Sequence, residues 1–295
     1  GWSFSPRSYL EAAVMAGAEP PLSEALFYQP SYNNRIVDDP SPERTFAAEA
    51  SWRRTGPSLD MRITAFAVAV FDGLETRRYY DDLAALFCDM SVAGIGRLCL
   101  GIEAAAEVRL SYRWSLALAA SAGRYRHIRD PLLTVLSDVD NTAVLTHAAG
   151  RMAGCAVGGT PQTAATAGVS YFGPKGWGGR LSAGYAGGRY VEPMPLRRTD
   201  RIAGQAALTP EAFDAFTRQE RLADAFTLDA SLFRTFYFDR SRLTASLLLR
   251  NLTGGRDTVY NGYESLRVRR IRSGDATEWM PHASRRTYAW PRSFY

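Results

Sequence analysis

The sequence predicts an all-β protein, a transmembrane antiparallel up-and-down β-barrel, on three observations. Apolar residues recur at every second position, which is the period of a strand with one apolar and one polar face. Short and long connections alternate along the chain, and aromatic residues gather beside the short ones. The 295 residues are 46% hydrophobic, yet no apolar run approaches the roughly 20 residues that a membrane-spanning helix needs.

The alternation is clearest in three segments. In residues 102–113 the even-numbered positions are all apolar, and all the odd-numbered ones except Ala105 are polar or charged. Residues 43–54 and 226–232 alternate in the same way. Weaker copies occur at 8–15, 59–72, 114–128, 158–172, 177–190, 242–253 and 284–295. We therefore expect about ten strands, many of them longer than the usual five or six residues.

The connections between these strands alternate strictly in length. Four are tight: 55–58, the junction at Arg113, 173–176 and 239–241. Five are long: about 16–42, 73–97, 129–157, 191–220 and 254–283. A transmembrane barrel has short periplasmic turns and long extracellular loops, whereas a soluble sandwich has no reason to place every long loop at one end. In the fourth loop, Thr209, Pro210 and Glu211 predict a short helix over 210–222.

Aromatic residues flank each short turn, as Trp52, Trp114 and Trp177 illustrate. Amphipathic rings at the strand ends are typical of the girdle that a membrane barrel places between lipid and water. Ordinary core aromatics near strand ends are the alternative interpretation.

The sequence shows no constellation that would carry catalysis, so we expect no enzyme, no cofactor and no metal site. His127, His147 and His282 lack metal-ligand spacing. The net charge of +5 comes from arginines spread along the chain and not from a basic cluster, which predicts no nucleic-acid partner. Cys88 and Cys99 border one predicted loop and could form a disulfide, but three buried free thiols are the favoured interpretation.

Several segments resemble one known family. The most specific is the run Gly158, Gly159, Thr160, Pro161, Gln162 with the Thr163-Ala164-Ala165 that follows. The other matching segments are Tyr32-Asn33-Asn34-Arg35, Pro42-Glu43-Arg44-Thr45-Phe46, Phe71-Asp72, Tyr79-Tyr80-Asp81-Asp82, Gly94-Ile95, Gly101-Ile102-Glu103, Pro195-Leu196-Arg197-Arg198-Thr199 and Gly262-Tyr263-Glu264. Together they resemble the C-terminal part of the β-barrel of TonB-dependent outer-membrane receptors, especially the Bacteroidetes type.

The resemblance implies the domain organisation. Residues 1–295 are expected to be part of a single barrel domain of about 22 strands with a plug in its lumen. The plug domain and the N-terminal strands are absent from this sequence, and the last strand is expected to be incomplete. Thr253 stands where the family usually has a leucine after Asn-Leu.

The resemblance also implies energy-coupled import in the outer membrane of a Gram-negative bacterium. The expected partners are outer-membrane lipid, the TonB–ExbB–ExbD complex acting through the absent plug, and a scarce nutrient, with a surface lipoprotein as a further partner. Siderophore, haem, cobalamin, peptide and glycan all remain open as the nutrient. A passive or structural barrel without energy coupling is the main alternative, and a soluble β-sandwich binding module is a remote one.

Candidate ligand-contacting residues lie in two of the predicted extracellular loops: Arg77, Arg78, Tyr79 and Tyr80 in one, and Arg197 and Arg198 in the other. Arginine binds carboxylates through two parallel hydrogen bonds, so these positions suit an anionic siderophore or peptide. The alternative interpretation is that each arginine makes only salt bridges between loops.

Overall fold

The computed structural model describes residues 1–31, 33–205, 209–255, 259–273, 276–289 and 292–294. Tyr32 and Tyr295, which belong to two of the predicted segments, lie outside these ranges. Most of the described backbone is extended. The strands are β1 (Trp2–Ser5), β2 (Ser8–Glu19), β3 (Phe27–Gln29), β4 (Asn33–Ile36), β5 (Glu43–Arg54), β6 (Leu59–Asp81), β7 (Leu86–Arg109), β8 (Trp114–His127), β9 (Leu132–Ser137), β10 (Ala143–Ala149), β11 (Thr163–Phe172), β12 (Trp177–Gly187), β13 (Ala225–Tyr237), β14 (Arg242–Arg250), β15 (Val259–Tyr263), β16 (Val268–Ser273), β17 (Ala276–Pro281), β18 (Arg285–Tyr288) and β19 (Ser293–Phe294).

In the described part of the chain, helical structure is confined to the connections. Short 3-10 turns occupy Pro174–Gly176 and Pro195–Arg198, and two helices follow, α1 (Asp200–Gln205) and α2 (Pro210–Thr217). The Thr209 hydroxyl accepts from the Ala212 N–H at 3.2 Å, which caps α2 where the sequence predicted it. The helix is shorter than the predicted 210–222, because the backbone leaves the helical region at Arg218. Within the described residues, no helix has the length and apolarity to cross a membrane.

One antiparallel sheet dominates the fold. Its strand order is β1-β2-β5-β6-β7-β8-β11-β12-β13-β14-β19, so neighbours in sequence are neighbours in the sheet. The four predicted tight turns are confirmed between β5 and β6, β7 and β8, β11 and β12, and β13 and β14. This meander is the up-and-down order that the alternation predicted. The predicted last strand is wrong in part, because β18 pairs with β15 outside the main sheet and only β19 joins β14.

The predicted loop at 73–97 is also wrong. β6 and β7 continue through it as a hairpin of 23 and 24 residues that turns only after Asp81. The alternation disappears there because residues 88–92 are buried on both faces, and a strand buried on both faces has no period of two to detect.

The other long connections also contain ordered structure. The β9–β10 hairpin lies in the 129–157 connection, and β9 pairs with residues 88–93 of β7. The first connection carries the β3–β4 hairpin, and the last carries the β16–β17 hairpin and β15. The β6–β7 hairpin and the paired strands β9 and β10 thus extend the main sheet at the end opposite the tight turns. The pairs β3–β4, β15–β18 and β16–β17 form separate two-stranded sheets.

The two faces of the main sheet differ in polarity. One row of side-by-side residues crosses the sheet through Ile63, Ala104, Ala120, Ala165, Tyr185 and Phe226. The adjacent row, on the other face, includes Thr64, Glu103 and Ser121. Large apolar side chains of the first face are open to the surroundings, with Val14 87% and Ile102 57% exposed. One face is therefore apolar and outward, as in the wall of a membrane barrel.

The buried core does not lie in this wall. It lies at the long-connection end, where the extended hairpin meets β9 and the 3-10 turn at Pro195–Arg198. Its main cluster of buried apolar residues consists of Tyr79, Cys88, Met90, Val92, Ile95, Leu133, Val135 and Leu196. The connections therefore form a folded layer over one end of the sheet.

Candidate functional site

The structure brings the two groups of predicted ligand-contacting residues together at this end. Arg77, Arg78, Tyr79 and Tyr80 lie on β6 and not in a loop. Arg77 Nη1 lies 3.4 Å from Met194 Sδ, immediately before the turn that carries Arg197 and Arg198. Arg201 Nη1 lies 2.5 Å from the Asp81 carboxylate. We call Tyr79, Asp81, Arg197, Arg198, Arg201 and Glu264 the loop cluster.

A bidentate ion pair is at the centre of the loop cluster. The Arg198 guanidinium donates to both carboxylate oxygens of Glu264, with Nη2 2.7 Å from Oε1, and also to the Met194 and Thr217 carbonyls. Arg198 is 1% exposed and Glu264 is 2% exposed. This guanidinium thus joins the connection between β12 and β13 to the connection that follows β14.

Arg197 and Tyr79 are also buried and hydrogen-bonded. Arg197 donates to the Phe216 carbonyl at 2.8 Å, and its guanidinium stacks on the Phe216 ring. The Tyr79 hydroxyl donates to Asp81 at 2.9 Å. Both contacts are local, because Arg197 and Phe216 lie in the same connection and Tyr79 and Asp81 lie on the same strand.

Asp81 ends β6 and holds the turn that follows. Its carboxylate accepts from the backbone N–H groups of Leu83 at 2.9 Å and Ala84 at 3.0 Å, as well as from Arg201. Burial alone would raise the pKa of Asp81, but the hydrogen bonds from Arg201 and Ala84 outweigh it, so its pKa is lower than usual. The carboxylate is therefore ionised at neutral pH.

Arg77, Arg78 and Tyr80 keep part of their surface accessible. Arg77 pairs with Glu75 at 2.8 Å, and Arg78 pairs with Asp138. Tyr80 meets Phe87 edge-on at 5.2 Å, and the Arg267 guanidinium lies 5.0 Å from the Tyr80 ring centre. Guanidinium and aromatic groups side by side suit a ligand that has both carboxylates and planar rings.

The family-like segment at 158–162 has a structural role. The Gly158 N–H donates to Glu192 Oε2 at 2.6 Å, and a Cβ on Gly158 would lie 2.3 Å from the Glu192 backbone. The Gln162 side chain accepts from the Tyr125 N–H at 2.8 Å and donates to the Tyr125 carbonyl at 3.4 Å. Gln162, which immediately precedes β11, thus extends the hydrogen bonding along β8 as far as Tyr125.

Two further residues of this layer had no signal in the sequence. The Gln219 amide bonds to both the N–H and the carbonyl of Ala156 and to the Val191 carbonyl. His127 is 2% exposed, its Nε2 lies 3.5 Å from Glu192 Oε1, and both residues border a cavity of 20 Å³. These contacts join residues that are far apart in sequence, so no local pattern indicates them.

The polar face of the sheet forms a depression of 670 Å³. Glu49, Arg62, Thr64, Glu103 and Ser121 are among the residues that line it. Arg62 and Glu49 form an exposed ion pair at 3.9 Å. A surface of this kind is suited to water or to a polar protein segment, and not to lipid.

The cysteines are free. Cys88 and Cys99 lie on the same strand, β7. Eleven residues of extended chain separate them by roughly 36 Å, far beyond the reach of a disulfide. Cys88 is buried, which raises its pKa to about 12, whereas Cys99 and Cys155 are half-buried. Among the described residues, no group of three or more His, Cys, Asp or Glu side chains is arranged to hold a metal ion.

Comparison with solved structures shows the same fold. The chain is similar to the copper transporter OprC (14% identity, TM-score 0.56, 99% of this chain and 38% of that one). It is also similar to Pseudomonas aeruginosa FpvA bound to heterologous pyoverdines (13% identity, TM-score 0.53, 99% of this chain and 31% of that one). A third similar structure is the ferric yersiniabactin uptake receptor FyuA from Yersinia pestis (15% identity, TM-score 0.51, 97% of this chain and 35% of that one). The chain therefore spans about a third of the length of these proteins.

A search of curated proteins by sequence finds no match. The family model described as "TonB dependent receptor-like, beta-barrel" matches residues 11–252. That range contains most of β2, all the strands from β3 to β14 and the four predicted tight turns, so the soluble β-sandwich alternative is excluded. Members of this family are transport receptors of the Gram-negative outer membrane. The chain belongs to the TonB-dependent receptor family and forms part of its β-barrel domain.

Proposed function

We propose that the protein is an outer-membrane receptor that imports a scarce nutrient by energy-coupled transport. The observation that carries this proposal is the family match over a sheet with an apolar outer face and a charged inner face. Such a sheet separates lipid from a water-filled lumen. The inner depression around Glu49, Arg62 and Glu103 supports this proposal, because it offers a polar surface to a plug.

The orientation follows from the lengths of the connections. In outer-membrane barrels the short turns are periplasmic and the long loops extracellular. The layer that contains the loop cluster would then face the cell exterior, where the nutrient arrives.

The predicted ligand-contacting residues divide into two roles in this proposal. Arg77, Arg78 and Tyr80 are accessible and would contact an anionic, ring-containing nutrient. Tyr79, Arg197 and Arg198 are buried and would act by fixing the loops that carry the contacts. The run from Gly158 to Gln162 would fix the neighbouring connection in the same way.

Energy coupling would come from partners outside this chain. The TonB–ExbB–ExbD complex would act on a plug, and a surface lipoprotein would be a further partner if the nutrient is a glycan. The Bacteroidetes type remains part of this proposal, supported by the segments that resemble it. The alternative is a passive or structural barrel, which would have the same wall but no dependence on TonB.

A growth experiment tests the proposal. Strains lacking the gene for this protein, lacking tonB, or lacking neither would be grown with ferric siderophores, haem, cobalamin or glycans as the limiting nutrient. Loss of growth on the same nutrient in both deletion strains, restored by the wild-type gene, is the expected result. If growth on a nutrient requires this protein but not TonB, the passive barrel is favoured. If both deletion strains grow like the parent strain on every nutrient, import is contradicted.

A further inference from the structure

An arginine lies on the apolar face of the sheet, at the tight-turn end. Arg234 is in β13 and stands directly opposite Trp177, the first residue of β12. Side chains two positions apart share a face, so Arg234 lies on the face of Phe226 and Leu232. Those two side chains are 55% and 49% exposed. The position is unusual, because the same face carries only glycine, alanine, leucine and aromatic residues elsewhere along β12 and β13.

Two aromatic rings hold the Arg234 guanidinium in place. Its central carbon lies 4.9 Å from the Trp177 ring centre and 4.6 Å from the Phe236 ring centre. Two cation–π contacts restrict the orientation of the guanidinium. The group is therefore pre-oriented on the surface of the sheet.

The guanidinium has no anionic partner among the residues that the structure describes. None of the ion pairs found there includes Arg234. Its Nε is buried without a hydrogen-bond partner, and the residue as a whole is half-buried. By contrast, most arginines of the loop layer at the opposite end, such as Arg198 and Arg201, do pair with carboxylates. Arg234 thus presents an unpaired fork of donors.

Phosphate chemistry fits this arrangement. A guanidinium binds the two oxygens of a phosphodiester through parallel hydrogen bonds, and interfacial tryptophans lie at the level of lipid headgroups. Leu243, opposite Phe236 and 58% exposed, continues the apolar surface beside the arginine. Such a surface can contact the acyl chains of the lipid whose headgroup the arginine holds.

We propose that Arg234, Trp177 and Phe236 form a binding site for the phosphodiester headgroup of an anionic phospholipid in the periplasmic leaflet. This inference rests on the proposed function, because it requires the sheet to span the outer membrane with its tight turns on the periplasmic side. It assigns binding of one class of lipid to these three residues. It does not concern a general affinity of the sheet for membranes.

Native mass spectrometry of the full-length receptor in detergent, titrated with phosphatidylglycerol or with phosphatidylethanolamine, tests the site. The variants are Arg234→Gln and the matched control Arg240→Gln, which removes a basic residue from the adjacent tight turn. We expect Arg234→Gln to bind phosphatidylglycerol about tenfold more weakly and Arg240→Gln to bind it like the wild type. Phosphatidylethanolamine should bind the wild type more weakly than phosphatidylglycerol.

The outcomes separate this site from the proposed function. Unchanged phosphatidylglycerol binding in Arg234→Gln, or equal weakening in Arg240→Gln, would overturn the site while leaving the receptor proposal intact. Each variant is first checked for recovery from the outer-membrane fraction and for the heat-dependent mobility of a folded barrel. Absence of the wild-type protein from that fraction would overturn the proposed function and this site with it.

Discussion

The membrane wall and the loop cluster place their charges in opposite ways. In the wall, charged side chains such as Glu103 and Arg62 lie on the open polar face, and the outer face is apolar. In the loop cluster, Arg198, Glu264 and Asp81 are almost completely buried and paired with each other or with backbone groups. The stability of the wall therefore depends on which face of the sheet each charged residue lies on. The stability of the cluster depends instead on whether each buried charge has a partner.

The largest effect should come from breaking the pairing in the cluster. Glu264→Ala leaves the buried Arg198 guanidinium without its carboxylate, which should lower the local free energy of opening by about 3–5 kcal/mol. Hydrogen exchange of the backbone amides at 194–201 in the full-length receptor measures this change. Asp200→Asn is the control, because its ion pair with Arg151 is exposed and is worth only about 0–1 kcal/mol. Equal exchange in the two variants would contradict the buried pair.

An arginine introduced into the wall tests which face of the sheet contacts lipid. Ala120 and Ser121 are adjacent on β8, with Ala120 in the apolar row and Ser121 beside Glu103. We expect Ala120→Arg to destabilise the barrel by roughly 2–4 kcal/mol if it lies near the membrane midplane. Ser121→Arg should have little effect, since it can pair with Glu103. Urea unfolding of the receptor in lipid vesicles compares the two, and a larger loss for Ser121→Arg would reverse our assignment of the faces.

This comparison also explains what the sequence could predict. The strands and tight turns followed from local alternation, because each strand of the wall has one wet and one apolar side. The hairpin at 73–97 did not, since residues 88–92 are buried on both faces. Arg198 was identified as a candidate, but its partner Glu264 lies 66 residues away. Only the folded chain shows that Arg198 binds a carboxylate of its own.

A smaller effect should follow from the loss of the amide at Gln162. Gln162→Met removes both hydrogen bonds to Tyr125 and should cost about 1–2 kcal/mol of local stability. Gln162→Glu keeps an acceptor for the Tyr125 N–H and should cost less. Hydrogen exchange at Tyr125 distinguishes them, and indistinguishable protection in all three proteins would show that the side chain does not extend the β8 ladder.

The smallest expected effect is a loss of stability at acid pH in the turn that follows Asp81. The folded-state pKa of Asp81 is lowered, so its contribution is fully present above the ordinary aspartate pKa of about 3.9. It is lost as the pH falls from there through the lowered folded-state value. Opening of the turn after Asp81, followed by hydrogen exchange between pH 3 and pH 6, should therefore become easier at the acid end. The acid-dependent part should be smaller in Asp81→Asn, and an equal dependence in both proteins would remove Asp81 as its source.

Cysteine labelling along β8 tests the central claim, a two-faced wall in the outer membrane, most directly. Each residue from Ser115 to Gly123 would be replaced by cysteine, one at a time, in a full-length receptor whose native cysteines have been changed to serine. A lipid-soluble maleimide should label the even-numbered positions, and a charged, membrane-impermeant maleimide should label the odd-numbered ones. Labelling that does not alternate, or that alternates with the opposite parity, would contradict the account.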